Sequence, residues 1–180
     1  GNYKGKKILL PKDKLTRPLK DLTKESIFNI IKHSKLLNVE IEKSNILDLF
    51  SGIGSFGLEC LSRGAAYVTF FENYKEVLII LKKNIDNLKQ QNYSNIIEKD
   101  IFLKNTLEGL NRKFDIIFMD PPFKEKKLTC LLNIIIKLKL LKDNGIIIIH
   151  RHKKEKDIFP NEFNIIIKKS YGISKIIFGD

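Results

Sequence analysis

The residues that could do chemistry stand at the ends of apolar runs. In "FDIIFMDPPF" (114–123) an apolar run holding Asp115 stops abruptly at Asp120-Pro121-Pro122-Phe123. Proline donates no backbone hydrogen bond, so the pair ends a strand and fixes a rigid corner. That corner sets a carboxylate beside an aromatic face. A second stretch, "DLFSGIGSFG" (48–57), spaces Gly52, Gly54 and Gly57 as G-x-G-x-x-G, a turn tight enough for a ligand to approach the backbone. Asp48 lies four residues before the first of these glycines. Its charge disfavours a diphosphate at the turn and favours a ligand that carries an ammonium and a sulfonium. Glu72, twenty residues after Gly52, is placed to accept both hydroxyls of a ribose, with Asn73 grouped beside it. Asp100 could bind an adenine amine with Ile101 packed on the ring; a plain loop acid is the alternative for Asp100.

Those positions need elements to hold them, and the hydrophobic pattern supplies them. Apolar or β-branched runs at 44–50, 66–72, 95–100, 114–119 and 145–150, and two more near 163–168 and 173–178, predict seven strands. Between them, helical spacing covers 22–37, the stretch from the glycine turn to "SRGA", Val77 to Leu88, and Leu128 to Leu138. Strands alternating with helices, several of them unbroken apolar runs, predict an α/β domain with a mostly parallel seven-stranded sheet and helices on both faces. Ligands of such sheets gather beyond the carboxyl ends of the strands. Asp48, Glu72, Asp100 and Asp120 are each expected there, on one rim.

Composition sets the bounds. The chain has 180 residues, 43% of them hydrophobic, enough for one domain with a real core. No apolar run approaches the roughly 18–20 residues of a membrane span, and residues 1–14 lack the architecture of a signal peptide. Cys60 and Cys130 lie far apart within helical patterns, which predicts two buried thiols in a reducing cytosol and a cytoplasmic protein. The net charge is +12, and residues 1–24 carry eight basic against two acidic side chains, half of that excess. A basic N-terminal arm over 1–20, ahead of a domain over 21–180, is therefore suited to nucleic-acid phosphates. A lysine-rich solvated surface is the alternative.

Taken in order, "LDLFSGIGSFGLECLSRGA", "FFE" and "FDIIFMDPPF" resemble a Rossmann-like class I S-adenosylmethionine-dependent methyltransferase. More narrowly, "YKGKKILLP", "TRPLKDLTKESIFNII" and "GLECLSRGA" are similar to the bacterial 16S rRNA (guanine(966)-N(2))-methyltransferase family. The resemblance departs at Leu19, where the family has Thr, and at Lys24, where it has Arg. It implies S-adenosylmethionine as cofactor, no metal, and 16S rRNA or the assembled small ribosomal subunit as partner of a monomer. It also implies roles for the corner. Asp120 and the Pro121 carbonyl accept the two protons of an exocyclic guanine amine, Pro122 stiffens the turn, and Phe123 stacks on the base. Arg17 is the arm residue expected to grip RNA, with a structural salt bridge as its alternative. An N-methyltransferase of adenine or of a protein glutamine shares such a corner and stays open. So does a fold kept only to bind RNA, and a nicotinamide oxidoreductase, which Asp48 opposes. His150 and His152 form H-x-H without a third ligand in spacing and are expected at the surface or facing RNA.

Overall fold

Side chains alternate along the central strands, with a register shift in one of them between Phe114 and Ile116, and that alternation splits the core into two layers. The computed structural model describes residues 1–3, 5–11, 19–103 and 105–180. Its strands are β1 (Asn45–Leu49), β2 (Tyr67–Phe71), β3 (Ser94–Ile97), β4 (Phe114–Met119), β5 (Leu141–His152), β6 (Ile165–Tyr171) and β7 (Ser174–Gly179). They form one sheet in the order β3-β2-β1-β4-β5-β7-β6. Strands β1 to β5 pair in parallel, while β7 runs antiparallel to both β5 and β6.

Helices α1 (Asp21–His33), α2 (Ser55–Ser62) and α3 (Lys75–Asn87) cover one face, where Ile46, Val68, Phe70, Ile116, Phe118, Ile146 and Ile148 point. Helix α4 (Leu128–Lys137) covers the other, against Leu47, Leu49, Ile117, Met119, Ile147 and Ile149. The expectation of a mostly parallel sheet with helices on both faces holds. On the first face Phe56 stacks on Phe118 at 4.0 Å and on Phe28 at 5.4 Å between ring centroids, so α1, α2 and β4 share one aromatic column. The chain turns back between β1 and β4, the topological switch point at which such sheets bind ligands.

Some boundaries differ from the expected ones. β5 begins at Leu141 rather than at 145, because Leu141 pairs with Phe114 ahead of the polar Lys142-Asp143-Asn144. It continues through Arg151 and His152 because β7 pairs with both. α1 stops at His33, where Ser34 turns to extended backbone. Cys60 is buried as expected, and burial pushes its thiol well above the usual range. Cys130, by contrast, is exposed, since it lies on the side of α4 away from Leu128, Leu131 and Leu132.

Within residues 1–20, Asn2, Tyr3 and Leu9 are hydrogen-bonded to the domain. The Asn2 and Tyr3 amides donate to Ser62, and Asn84 of α3, 1% exposed, exchanges bonds with Leu9 while also donating to the Ile53 carbonyl. Arg17 lies outside the described residues. No helix among the described residues is long and apolar enough to cross a membrane.

Candidate active site

β1 runs into a turn that brings backbone unusually near the sheet. Asp48 points to the α2 side, is 1% exposed, and accepts the Gly57 N–H on Oδ2 at 3.0 Å. A Cβ on Gly57 would come within 2.4 Å of the Phe70 ring, so glycine is what lets α2 start this close to β2. The Ser51 hydroxyl donates towards the Asp48 carbonyl (2.6 Å) and the Phe71 carbonyl (3.1 Å), tying the turn to both strands. Glu72 completes it. Its Oε2 accepts the Gly52 N–H at 2.8 Å, and its Oε1 accepts the Asn73 and Tyr74 amides, each at 2.9 Å. Oε2 keeps a lone pair for a ligand. Phe50 is held at φ 60°, an uncommon conformation for an aromatic residue and one that clusters at functional turns.

The second wall is the corner after β4. Asp120 Oδ1 lies 2.7 Å from His150 Nδ1, and the His150 Nε2 lies 2.8 Å from Ser174 Oγ. The Pro122 carbonyl is occupied twice, by the Glu125 N–H at 2.8 Å and by Arg151 Nη1 at 3.0 Å. No described residue donates to the Pro121 carbonyl. Arg151, 2% exposed, also donates to the Glu125 carbonyl (2.9 Å) and through Nε to Asp157 Oδ1 (2.8 Å). Lys175 Nζ lies 3.0 Å from Asp157 Oδ2. Burial works to raise the Asp157 carboxyl, and the bonds from Arg151 and Lys175 outweigh it, holding its pKa below the ordinary range. Phe123 meets the His152 ring edge-on, centroids 5.2 Å apart.

Both walls face one cavity of about 650 Å³, lined by Asp48, Phe50, Ser51, Gly52, Glu72, Asn73, Asp120, Pro121, Pro122, Phe123 and His150 among others. That size suits a nucleoside-sized ligand with room beside it. The whole chain, residues 1–180, matches the family described as Conserved hypothetical protein 95. The chain belongs to that family. It is 35% identical to "Ribosomal RNA small subunit methyltransferase D" of Buchnera aphidicola over 94% of this chain and 84% of that one. The solved structure of HI0767 from Haemophilus influenzae, a candidate methylase, is 31% identical with a TM-score of 0.71, over 88% of this chain and 96% of that one. The structure of yhhF from Escherichia coli, 24% identical, superposes with a TM-score of 0.81 over 99% and 93% of the two chains. The fold is that of class I methyltransferases.

In this member of the family, Asp48, Gly52, Glu72, Asn73 and the four corner residues all reach the cavity. Gly54 does not line it. At φ +84° it forms the cap before α2, packed under Leu81 and Leu58. Asp100 and Ile101 are not among the lining residues either. β3 ends at Ile97, three residues before Asp100, whose Oδ1 then caps the following turn by accepting the Phe102 N–H at 2.9 Å. Ile101 is buried in the α4-side core. Asp100 thus holds its own turn through Oδ1, as a loop acid does, and Oδ2 is not used in that bond. The surface expectation for His150 is corrected, since it is 7% exposed and lies on the Asp120 side chain. It was within reach of the sequence: counting by twos from Ile146 and Ile148 puts it on the face of Phe118 and Asp120. Arg151 gave no such local signal. No group of three metal-ligating side chains occurs among the described residues.

The cavity is electrostatically primed for a cation. Burial raises the Asp48 pKa well above its usual value; the Gly57 amide opposes this, and the charges of Asp120 and Glu72 add to it. A raised carboxyl costs stability in full above its folded pKa, and the cost disappears as pH falls through that value towards the unfolded one. Asp48→Asn is thus expected to raise the melting temperature of the ligand-free protein at neutral pH, by roughly 2–4 °C per kcal/mol relieved. The gain should fade on acidification towards about pH 4, the ordinary carboxylate range. The same substitution should weaken binding of a cationic ligand. A melting temperature equal to that of the parent protein at pH 7 would contradict the burden assigned to Asp48.

Proposed function

We propose that this protein transfers a methyl group from S-adenosylmethionine to the exocyclic N2 of a guanine in small-subunit ribosomal RNA. The observation that carries it is the meeting, in one cavity, of an acid-lined glycine turn with an Asp-Pro-Pro-Phe corner whose Pro121 carbonyl is left open. The family relationship supports the substrate, through relatives named as small-subunit rRNA methyltransferases. The residues present fit the cofactor. Asp48 suits its cationic methionine end, the Gly52 backbone its close approach, and Glu72 Oε2, with Asn73, its ribose. When bound, the cofactor supplies an electrophilic methyl group on a sulfonium.

The protein's own contribution is to hold an amine. A guanine amine is a poor nucleophile because its lone pair is delocalised into the ring. Two acceptors, Asp120 Oδ2 and the Pro121 carbonyl, can each take one N–H and turn the lone pair out of the ring plane. Pro122 cannot serve as the second acceptor, since its carbonyl is already used by Glu125 and Arg151. The amine nitrogen gains the methyl group and gives up a proton to Asp120 Oδ2. Phe123 offers a stacking face to a base taken out of its helix or loop, and most of the rate gain is orientation.

The test is methyl transfer from labelled S-adenosylmethionine to small-subunit particles from cells that lack the protein, followed by nucleoside analysis. Label in N2-methylguanosine is expected. Label in N6-methyladenosine, or in a protein glutamine, would overturn the acceptor while keeping the corner.

A further inference from the structure

Among the described residues, His150 is the buried side chain that hydrogen-bonds the Asp120 carboxylate, and the proposed chemistry leaves it without a task. The strand register puts it there. Phe118 pairs with Ile148 and Met119 with Ile149, so the next step along β4 and β5 sets Asp120 beside His150 on the same face. β7 closes the far side, pairing Ile176 with His150 and Ser174 with His152. The imidazole is thus clamped between two side chains, Asp120 Oδ1 at 2.7 Å and Ser174 Oγ at 2.8 Å, and both His150 and Ser174 are buried.

The partners decide the tautomer. An ionised carboxylate can only accept, so Nδ1 carries the hydrogen and donates to Asp120. In the neutral ring Nε2 must then accept, and a hydroxyl is a group able to donate to it. Reversing the tautomer would set the Nδ1 lone pair against the carboxylate. The consequence reaches the substrate side. A carboxylate left free could rotate about its terminal bond, which is a broad torsion. With Oδ1 fixed by a ring that is itself held, Oδ2 is the oxygen that remains for the cavity Asp120 lines, and no described residue donates to it.

We propose that His150, held in its Nδ1–H tautomer by Ser174, is a positioning residue that aims the Asp120 carboxylate at the substrate amine. The proposal rests on the methyl-transfer reading of the cavity. Its test separates the two, because every variant is compared with the parent protein on whichever acceptor that protein methylates.

The test uses side chains that offer a donor at different reach. Asn places its amide where Nδ1 lies, whereas Gln reaches to where Nε2 lies. With the whole chain, His150→Asn is expected to keep kcat within about tenfold of the parent, since its amide N–H replaces Nδ1–H behind Asp120 and a misplaced reacting group costs on the order of 10²-fold. His150→Gln and His150→Ala are expected to fall by about 10–100-fold in kcat, the scale on which a misplaced reacting group costs rate. The affinity for S-adenosylmethionine should stay within about twofold throughout, because His150 acts on the acceptor side. Equal kcat in all three variants, whether unchanged or uniformly lost, would overturn the proposal, as would a loss of cofactor affinity matching the loss of kcat. Nitrogen-15 NMR of the parent protein gives a readout free of folding defects and of the acceptor. A His150 resonance pattern with the hydrogen on Nδ1 supports the assignment, and one with the hydrogen on Nε2 alone overturns it.

Discussion

Asp120→Ala is expected to reduce methyl transfer by about 10²–10⁴-fold, the range over which a positioned acid–base group acts, while leaving binding of S-adenosylmethionine nearly intact. The separation follows from the two walls of the cavity. The glycine turn proposed to face the cofactor is tied together by Asp48, Ser51 and Glu72, none of which draws a hydrogen bond from Asp120. Single-turnover transfer and calorimetric binding of the cofactor check the two halves independently. Loss of both would make Asp120 a cofactor or folding residue. Asp120→Asn carries a sharper expectation. His150 Nδ1 donates, so the Asn oxygen must face it, and the amide N–H groups would then face the substrate amine, donor against donor. This variant should transfer methyl groups about as poorly as the Ala variant, although Asn is a close isostere.

Arg151→Ala is expected to have the largest effect on stability. The guanidinium is 2% exposed and spends its donors on the Pro122 and Glu125 carbonyls and on Asp157. Removing one partner of a buried pair leaves the other uncompensated, at a cost of about 3–5 kcal/mol. In a domain of this size that lowers the melting temperature by roughly 6–20 °C. Asp157 gives the effect a pH signature. Its carboxyl is depressed, so its contribution is present above the ordinary carboxylate pKa and is lost as pH falls through the lower folded value. The parent protein should therefore lose stability on strong acidification more steeply than Arg151→Ala does. Thermal melts from pH 7 down to about 2, below the ordinary Asp value, would show it; parallel curves would remove Asp157 from the account.

The two residues also mark where sequence patterns stop being informative. All seven strands announced themselves, because apolar runs such as "GIIIIH" and "YVTFF" have no other stable home in a chain this short. The acids at strand ends were visible for the same reason, as polar residues that interrupt an apolar pattern. Whether such an acid enters the cavity is decided afterwards, by the direction the chain takes. Asp120 is held at once by the two prolines, whereas Asp100 follows three further residues and turns into its own cap. His150 was legible in principle from strand parity, but parity needs the register of β4 against β5. Arg151 was not legible. Its partners stand 29, 26 and 6 residues away, and a buried arginine is recognisable only by them.

Chain order adds a constraint in time. β7 is the last of these seven strands in chain order, yet it inserts between β5 and β6. Until residues 174–179 have left the ribosome, the isoleucine-rich β5 has no neighbour on that side. A nascent chain at that stage offers a long, apolar, hydrogen-bonding border to any other strand in reach. The same late residues bring Ser174 to His150, so a chain cut short before them would lack both its seal and the support behind Asp120.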